Sequence, residues 1–153
     1  MKPIEKLNNE DYIVINLFGK EKEVEVFSTG DNRYDKNGRP KADEFALSEE
    51  EISCLNWLIG NIKIEDYSHA ITEYCNEQYN AVGGEPIADS DVKNEVDIFA
   101  IAINISKITQ SMNGFVYPEI SFYGHCECDP EHGICIGFRD KKFLGIKSQD
   151  WTL

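Results

Sequence analysis

A chain of 153 residues and 17.4 kDa can bury one hydrophobic core and is too short for two well-cored domains. Hydrophobic residues at 41% and aromatics at 11% exclude a disordered chain. The 28 acids against 15 bases give a formal charge of −13, which argues against binding nucleic acid or an anionic membrane, since either sets like charge on like.

Near the start, Tyr12–Phe18 is a β-branched apolar run that suits a central strand. It is too short to span a membrane, and the lysines and acids before it do not suit a signal peptide. Gly19-Lys20 signals a turn. Lys22–Phe27 then alternates, with Val24 and Val26 on one face and Glu23 and Glu25 on the other, so the chain opens with an antiparallel hairpin. Residues 28–43 read as a long polar loop. Counted from Arg33, the residues Asp35, Asn37, Gly38 and Glu44 imitate an EF-hand, but Arg33 puts a cation where calcium needs its first carboxylate.

Ser48-Glu-Glu-Glu51 is a capping box, and Ile52, Leu55, Leu58, Ile59 and Ile62 follow at helical spacing. A second helix is expected from Ile64 to about Tyr79, its inner stripe made of Ile64, Tyr67, Ile71, Tyr74 and Cys75. Val82-Gly-Gly-Glu-Pro86 ends it. From Asp91 the pattern allows either a short helix through Val96 to Ala100 or a strand, with Ile101, Ile103 and Ile105 alternating. Asn113-Gly114 signals a hairpin turn. Strands are expected at Tyr117–Cys128, Ile134–Arg139 and Phe143–Ile146. The fold class is therefore α+β, one domain over residues 1–153, an antiparallel sheet with two main helices on one face. Ile52, Leu55, Ile59, Ile71 and Tyr74 should be buried against Val14, Val24, Ile134 and Ile136.

The five cysteines are an odd number without an export signal, which suits reduced thiols in a cytoplasmic protein. Three of them lie in His125-Cys-Glu-Cys-Asp-Pro-Glu-His-Gly-Ile-Cys135, a density that invites a zinc reading. If Asp129–Gly133 is the hairpin loop, Cys128 stands opposite Ile134 and Cys126 opposite Ile136. Alternation then sends Cys126 and Cys128 to the core and His125 and Cys135 to the other face. Ligands divided by a sheet cannot meet on one ion, so Cys126 and Cys128 are expected to be buried, reduced and metal-free, and no cofactor is expected. Asp129-Pro130 starts the turn and Gly133 closes it, leaving Glu131 and His132 at the tip. A Cys135–His125 nucleophile pair shares a face, but nothing in the sequence lowers the thiol pKa. The glycine-rich phosphate loop, the His-Glu-x-x-His helix and the Gly-x-Ser-x-Gly elbow are all missing from the sequence.

With Asp129-Pro-Glu-His-Gly133 between two strands and Gly-Phe-Arg-Asp-Lys after it, the C-terminal third resembles small acidic bacterial domains with a D-x-E-H-G strand signature. These are similar to immunity proteins of polymorphic-toxin and contact-dependent growth inhibition systems. The resemblance implies no catalysis by this chain and a protein partner: a cognate toxin, basic where it must hold nucleic acid. An acidic inhibitor gains association rate from electrostatic steering. Candidate contacts are Glu23 and Glu25 on the strand face and Asp129, Glu131 and His132 at the hairpin tip, with the tip preferred because binding residues concentrate in loops held by a rigid sheet. The competing class is a small enzyme or metal-binding module centred on His125, His132 and Cys135.

Overall fold

The computed structural model describes residues 2–29, 36–39, 46–105, 114 and 116–152. Six strands form one sheet in chain order: β1 (Tyr12–Leu17), β2 (Lys20–Ser28), β3 (Val96–Ile103), β4 (Ile120–Cys126), β5 (Ile134–Arg139) and β6 (Lys142–Lys147). All neighbours are antiparallel except β2 and β3, which run parallel. A parallel pair needs a crossover. Here it carries α1 (Glu49–Asn61), a 3-10 turn at Ile64–Tyr67, α2 (Ser68–Ala81) and the short α3 (Val92–Glu95). The α+β class is as expected, with one parallel pair added by that crossover.

The two long helices lie on one face of the sheet. Leu55 and Leu58 of α1 and Ile71 and Cys75 of α2 are buried in one cluster with Val24, Val26, Ile101, Ile103, Ile134, Ile136 and Phe138. Phe138 is its aromatic centre, edge-on to Trp57, Tyr67 and Phe122 at 5.6–6.3 Å and tilted against Phe143 at 5.8 Å. The capping box forms as expected: Glu51 N–H donates to Ser48 Oγ at 3.1 Å, and Ser48 N–H donates to Glu51 Oε1 at 2.9 Å. Glu51 is nonetheless buried, because its other oxygen accepts the Ser28 hydroxyl of β2. A buried carboxylate is tolerated when its lone pairs are filled in this way, and here it ties the start of α1 to the sheet.

Several expectations change. Tyr12–Phe18 is not a central strand: β1 lies at the sheet edge, and Ile15 and Leu17 face the core while Val14 is 48% exposed. Three successive apolar residues, Ile13 to Ile15, give no alternation from which to read a face. Ile59 and Tyr74 are half-buried rather than buried. The helix after Asp91 stops at Glu95, and Val96 already belongs to β3. In that strand Asp97 is exposed and Phe99 half-buried, and from Ala100 to Ile103 both faces are covered. Asn113 of the expected turn, and Arg33, Asp35 and Glu44 of the EF-hand imitation, lie outside the described residues.

The opposite face of the sheet is closed by small residues. Ala100, Ala102, Ser121, Cys135 and Gly137 are buried there. A Cβ at Gly137 would lie 2.8 Å from both Pro118 and Trp151, so Trp151 rests directly on the backbone. Two hairpins turn through two residues each with positive φ at both: Phe18-Gly19 and Asp140-Lys141. Such turns match the strand twist but strain residues other than glycine, by about 1–2 kcal/mol each. Lys141→Gly should therefore raise unfolding free energy by about 1 kcal/mol, and Phe138→Ala should lower it by about 3–5 kcal/mol. Urea denaturation with an unchanged slope measures both.

Candidate functional site

The hairpin of β1 and β2 is the first candidate surface. Its register pairs Tyr12 with Glu25, Val14 with Glu23 and Asn16 with Glu21, which sets an apolar-rich row beside an acidic row on the face away from the helices. Tyr12 is 59% exposed, and its hydroxyl donates to Glu25 Oε2 at 3.4 Å. Glu25, then Glu23 and Glu10, hold the Tyr12 phenol above its ordinary value of 10, a direct sign of negative potential at this edge. Glu23 is exposed as expected, while Glu25 is half-buried under Tyr12's side of the hairpin. The hairpin's two lysines, Lys20 and Lys22, alternate onto the other face of β2, and Lys22 is paired with Asp97 of β3.

The tip between β4 and β5 has a different character. Asp129 Oδ1 accepts the His132 backbone N–H at 3.2 Å and meets His132 Nδ1 at 3.1 Å, and Gly133 N–H donates to Asp129 O at 2.9 Å. Gly133 has φ +66, and a Cβ there would lie 2.6 Å from Gly124 O. Asp129 and His132 thus brace the turn, and Glu131 is left exposed beside Pro130. The register also differs from the expectation, because Ile134 pairs with Gly124 and Cys135 with Tyr123. The slip from Cys128 to Gly124 is an even number of residues, so each residue keeps the face assigned to it.

The residues of the competing centre do not converge. His125 packs edge-on against Phe99 at 4.6 Å, His132 is held by Asp129, and Cys135 is buried beneath the far face near Ser121 and Tyr123. Burial pushes the Cys135 thiol up to about 12, so it is a protonated thiol and not a nucleophile at neutral pH. The third histidine, His69, is exposed between Glu73 and Asp89.

One cluster escaped the sequence. Cys75 on α2, Glu95 at the end of α3 and Cys128 in the β4–β5 loop bring their ligand atoms within 4.8 Å of one another. Cys128 Sγ donates to Cys126 Sγ at 3.3 Å, and Tyr79 Oη donates to Glu95 Oε1 at 2.5 Å. Cys126 is buried as expected, and Cys128 is half-buried because it lies past the end of β4. The neighbouring Cys126 holds the Cys128 thiol down, but its contact with Cys75 and burial outweigh this and push it up to about 12. The signal available in sequence was the placement of Cys75 on the inner stripe of its helix; nothing pointed to Glu95.

A family model matches residues 3–153, essentially the whole fold described above. The chain belongs to the family described as Domain of unknown function (DUF6985). No curated protein and no solved structure matches it. The DUF6985 description assigns no activity, so the binding and thiol surfaces of this member have to be read from their own geometry. Among the described residues no helix is long and apolar enough to cross a membrane.

At the tip, the hydrogen bond and charge of Asp129, helped by Glu131 and Asp150 against a small burial effect, raise His132 above the ordinary 6.5. A raised folded-state pKa means that this contribution is fully present below about pH 6.5 and is lost as pH rises through the folded value. Proton NMR titration should give a His132 midpoint above the ordinary 6.5, and Asp129→Asn should bring it down.

Proposed function

We propose that the chain is an immunity-type inhibitor, which binds and neutralises a cognate basic toxin domain in the cytoplasm and carries out no chemistry of its own. The observation that carries this reading is the face of the β1–β2 hairpin: exposed Tyr12 and Val14 flanked by Glu21, Glu23 and Glu25 on the edge of a rigid sheet. Apolar anchors inside a charged rim are the anatomy of a protein-binding surface. The rim is of one sign, because Lys20 and Lys22 alternate onto the opposite face of β2 and Lys22 is paired with Asp97, so the complementary partner is basic. A nuclease domain meets that condition, since its own surface must hold phosphates. The resemblance of the D-x-E-H-G segment to immunity proteins points the same way.

The structure shifts the preferred contact from the tip to this hairpin. Asp129 has its hydrogen-bonding capacity engaged in the turn, whereas Glu23 and the Tyr12 ring are presented outward. The two kinds of residue should act on different rate constants. Rim carboxylates steer the encounter, and a buried aromatic anchor holds the complex once formed.

The test first looks for a toxin-like reading frame beside the gene, whose absence would count against the inhibitor, and pairs the chain with its product. Co-expression should restore growth, and stopped-flow mixing should show association that slows with added salt. Glu23→Lys with Glu25→Lys should slow association about 10-fold at low ionic strength and less at high. Tyr12→Ala should instead speed dissociation, at a cost of about 2 kcal/mol or more. Association indifferent to both salt and charge reversal would exclude the acidic face, and failure of the chain to protect cells would exclude the inhibitor.

A further inference from the structure

The cluster of thiols and one carboxylate takes no part in that binding face. Its members come from three separate elements: Cys75 from the buried side of α2, Glu95 from the end of α3, and Cys128 from the loop after β4, with Cys126 beside it. We propose that Cys75, Glu95 and Cys128 hold a zinc ion, with two thiolates and one carboxylate around it and the fourth tetrahedral position left to water.

The geometry suits that ion. With Zn–S bonds of about 2.3 Å and Zn–O bonds of about 2.0 Å, tetrahedral ligand atoms end about 3.5–3.8 Å apart. The spacings here admit that value: the ligand atoms of Cys75, Glu95 and Cys128 lie within 4.8 Å of one another. Soft sulfur and hard oxygen together select a borderline cation; calcium and magnesium take oxygen ligands, and cuprous ion prefers sulfur alone. Tyr79 donates to Glu95 Oε1, which orients the carboxylate, the supporting contact that metal carboxylates require. A cleft of about 250 Å³ lined by Asn94, Glu95, Asp97, Cys126 and Glu127 opens onto the cluster, and its carboxylates give an entering cation a path.

The three protein ligands come from three different elements, so the ion ties those elements together. As it binds, each thiol releases its proton to solvent and the resulting thiolate bonds the metal. The effect is a clasp that joins α2 and α3 to the β4–β5 hairpin. The expectation that Cys126 and Cys128 are metal-free weighed them only against His125, His132 and Cys135, and the partners that complete the set lie on helices far off in sequence.

The full chain, purified without chelator, should carry about one zinc per molecule by elemental analysis. After the metal is removed, cobalt titration should produce thiolate-to-metal charge-transfer absorption. Competition against a chromogenic chelator, on variants with native far-ultraviolet dichroism, should show zinc affinity falling more than about 100-fold in Cys75→Ser and Cys128→Ser and about 10-fold in Tyr79→Phe. Cys135→Ser, altered on the opposite face, should keep full affinity. A wild-type chain that takes up neither zinc nor cobalt overturns the assignment, as does cobalt bound without thiolate absorption. Equal loss in Cys135→Ser and Cys128→Ser overturns it too. Because the cobalt spectrum is read on the wild-type protein, it decides the matter even if a serine variant fails to fold.

Discussion

Parallel strands cannot be joined by a tight turn, and that restriction on β2 and β3 organises the molecule. The chain must leave the sheet after Ser28 and return at Val96, and the helices it forms on the way all cover the same face. Glu51 secures the departure. Its carboxylate caps α1 and accepts the Ser28 hydroxyl, so the first helix starts where the second strand stops. With both helices committed to one side, the other side is closed, among the described residues, by small residues and a few rings, and Tyr12, Val14 and Glu23 are exposed there.

Much of this was legible from residue patterns. The capping box and helical stripe placed α1, and the alternation of Val24 and Val26 with Glu23 and Glu25 gave β2 both its faces. The face assignment of Cys126, His125 and Cys135 survived a wrong register because the error was even, which shows that alternation is more robust than pairing. What failed lacked a periodic signal. Ile13 to Ile15 is apolar throughout, so the exposure of Val14 depended on neighbours that a single strand does not specify. From Ala100 to Ile103 β3 is buried on both faces, so the alternation of Ile101 and Ile103 marks no solvent side.

The candidate sites divide along the same line. Glu23 and Glu25 were visible because a local pattern placed them. The pairing of Tyr12 and Val14 with those acids needed the hairpin register, which the two-residue turn at Phe18-Gly19 supplies. The meeting of Cys75, Glu95 and Cys128 depends on how α2 and α3 are seated on the sheet, a tertiary fact with no local trace. A cysteine-dense segment drew attention to His125, His132 and Cys135, whereas the residues that Cys128 meets are single ones on α2 and α3.

The D-x-E-H-G segment can now be understood as mechanics. Asp129 accepts the hydrogen bonds that hold the turn, His132 supplies the backbone donor and a ring that leans on the same carboxylate, and Gly133 adopts a left-handed conformation against Gly124 O, where no Cβ fits. Each of these is a demand of the hairpin itself. In an alignment, the corresponding columns would stay constant in proteins that share this hairpin and bind unrelated partners. Constancy there would record the demands of the turn and carry no information about what is bound.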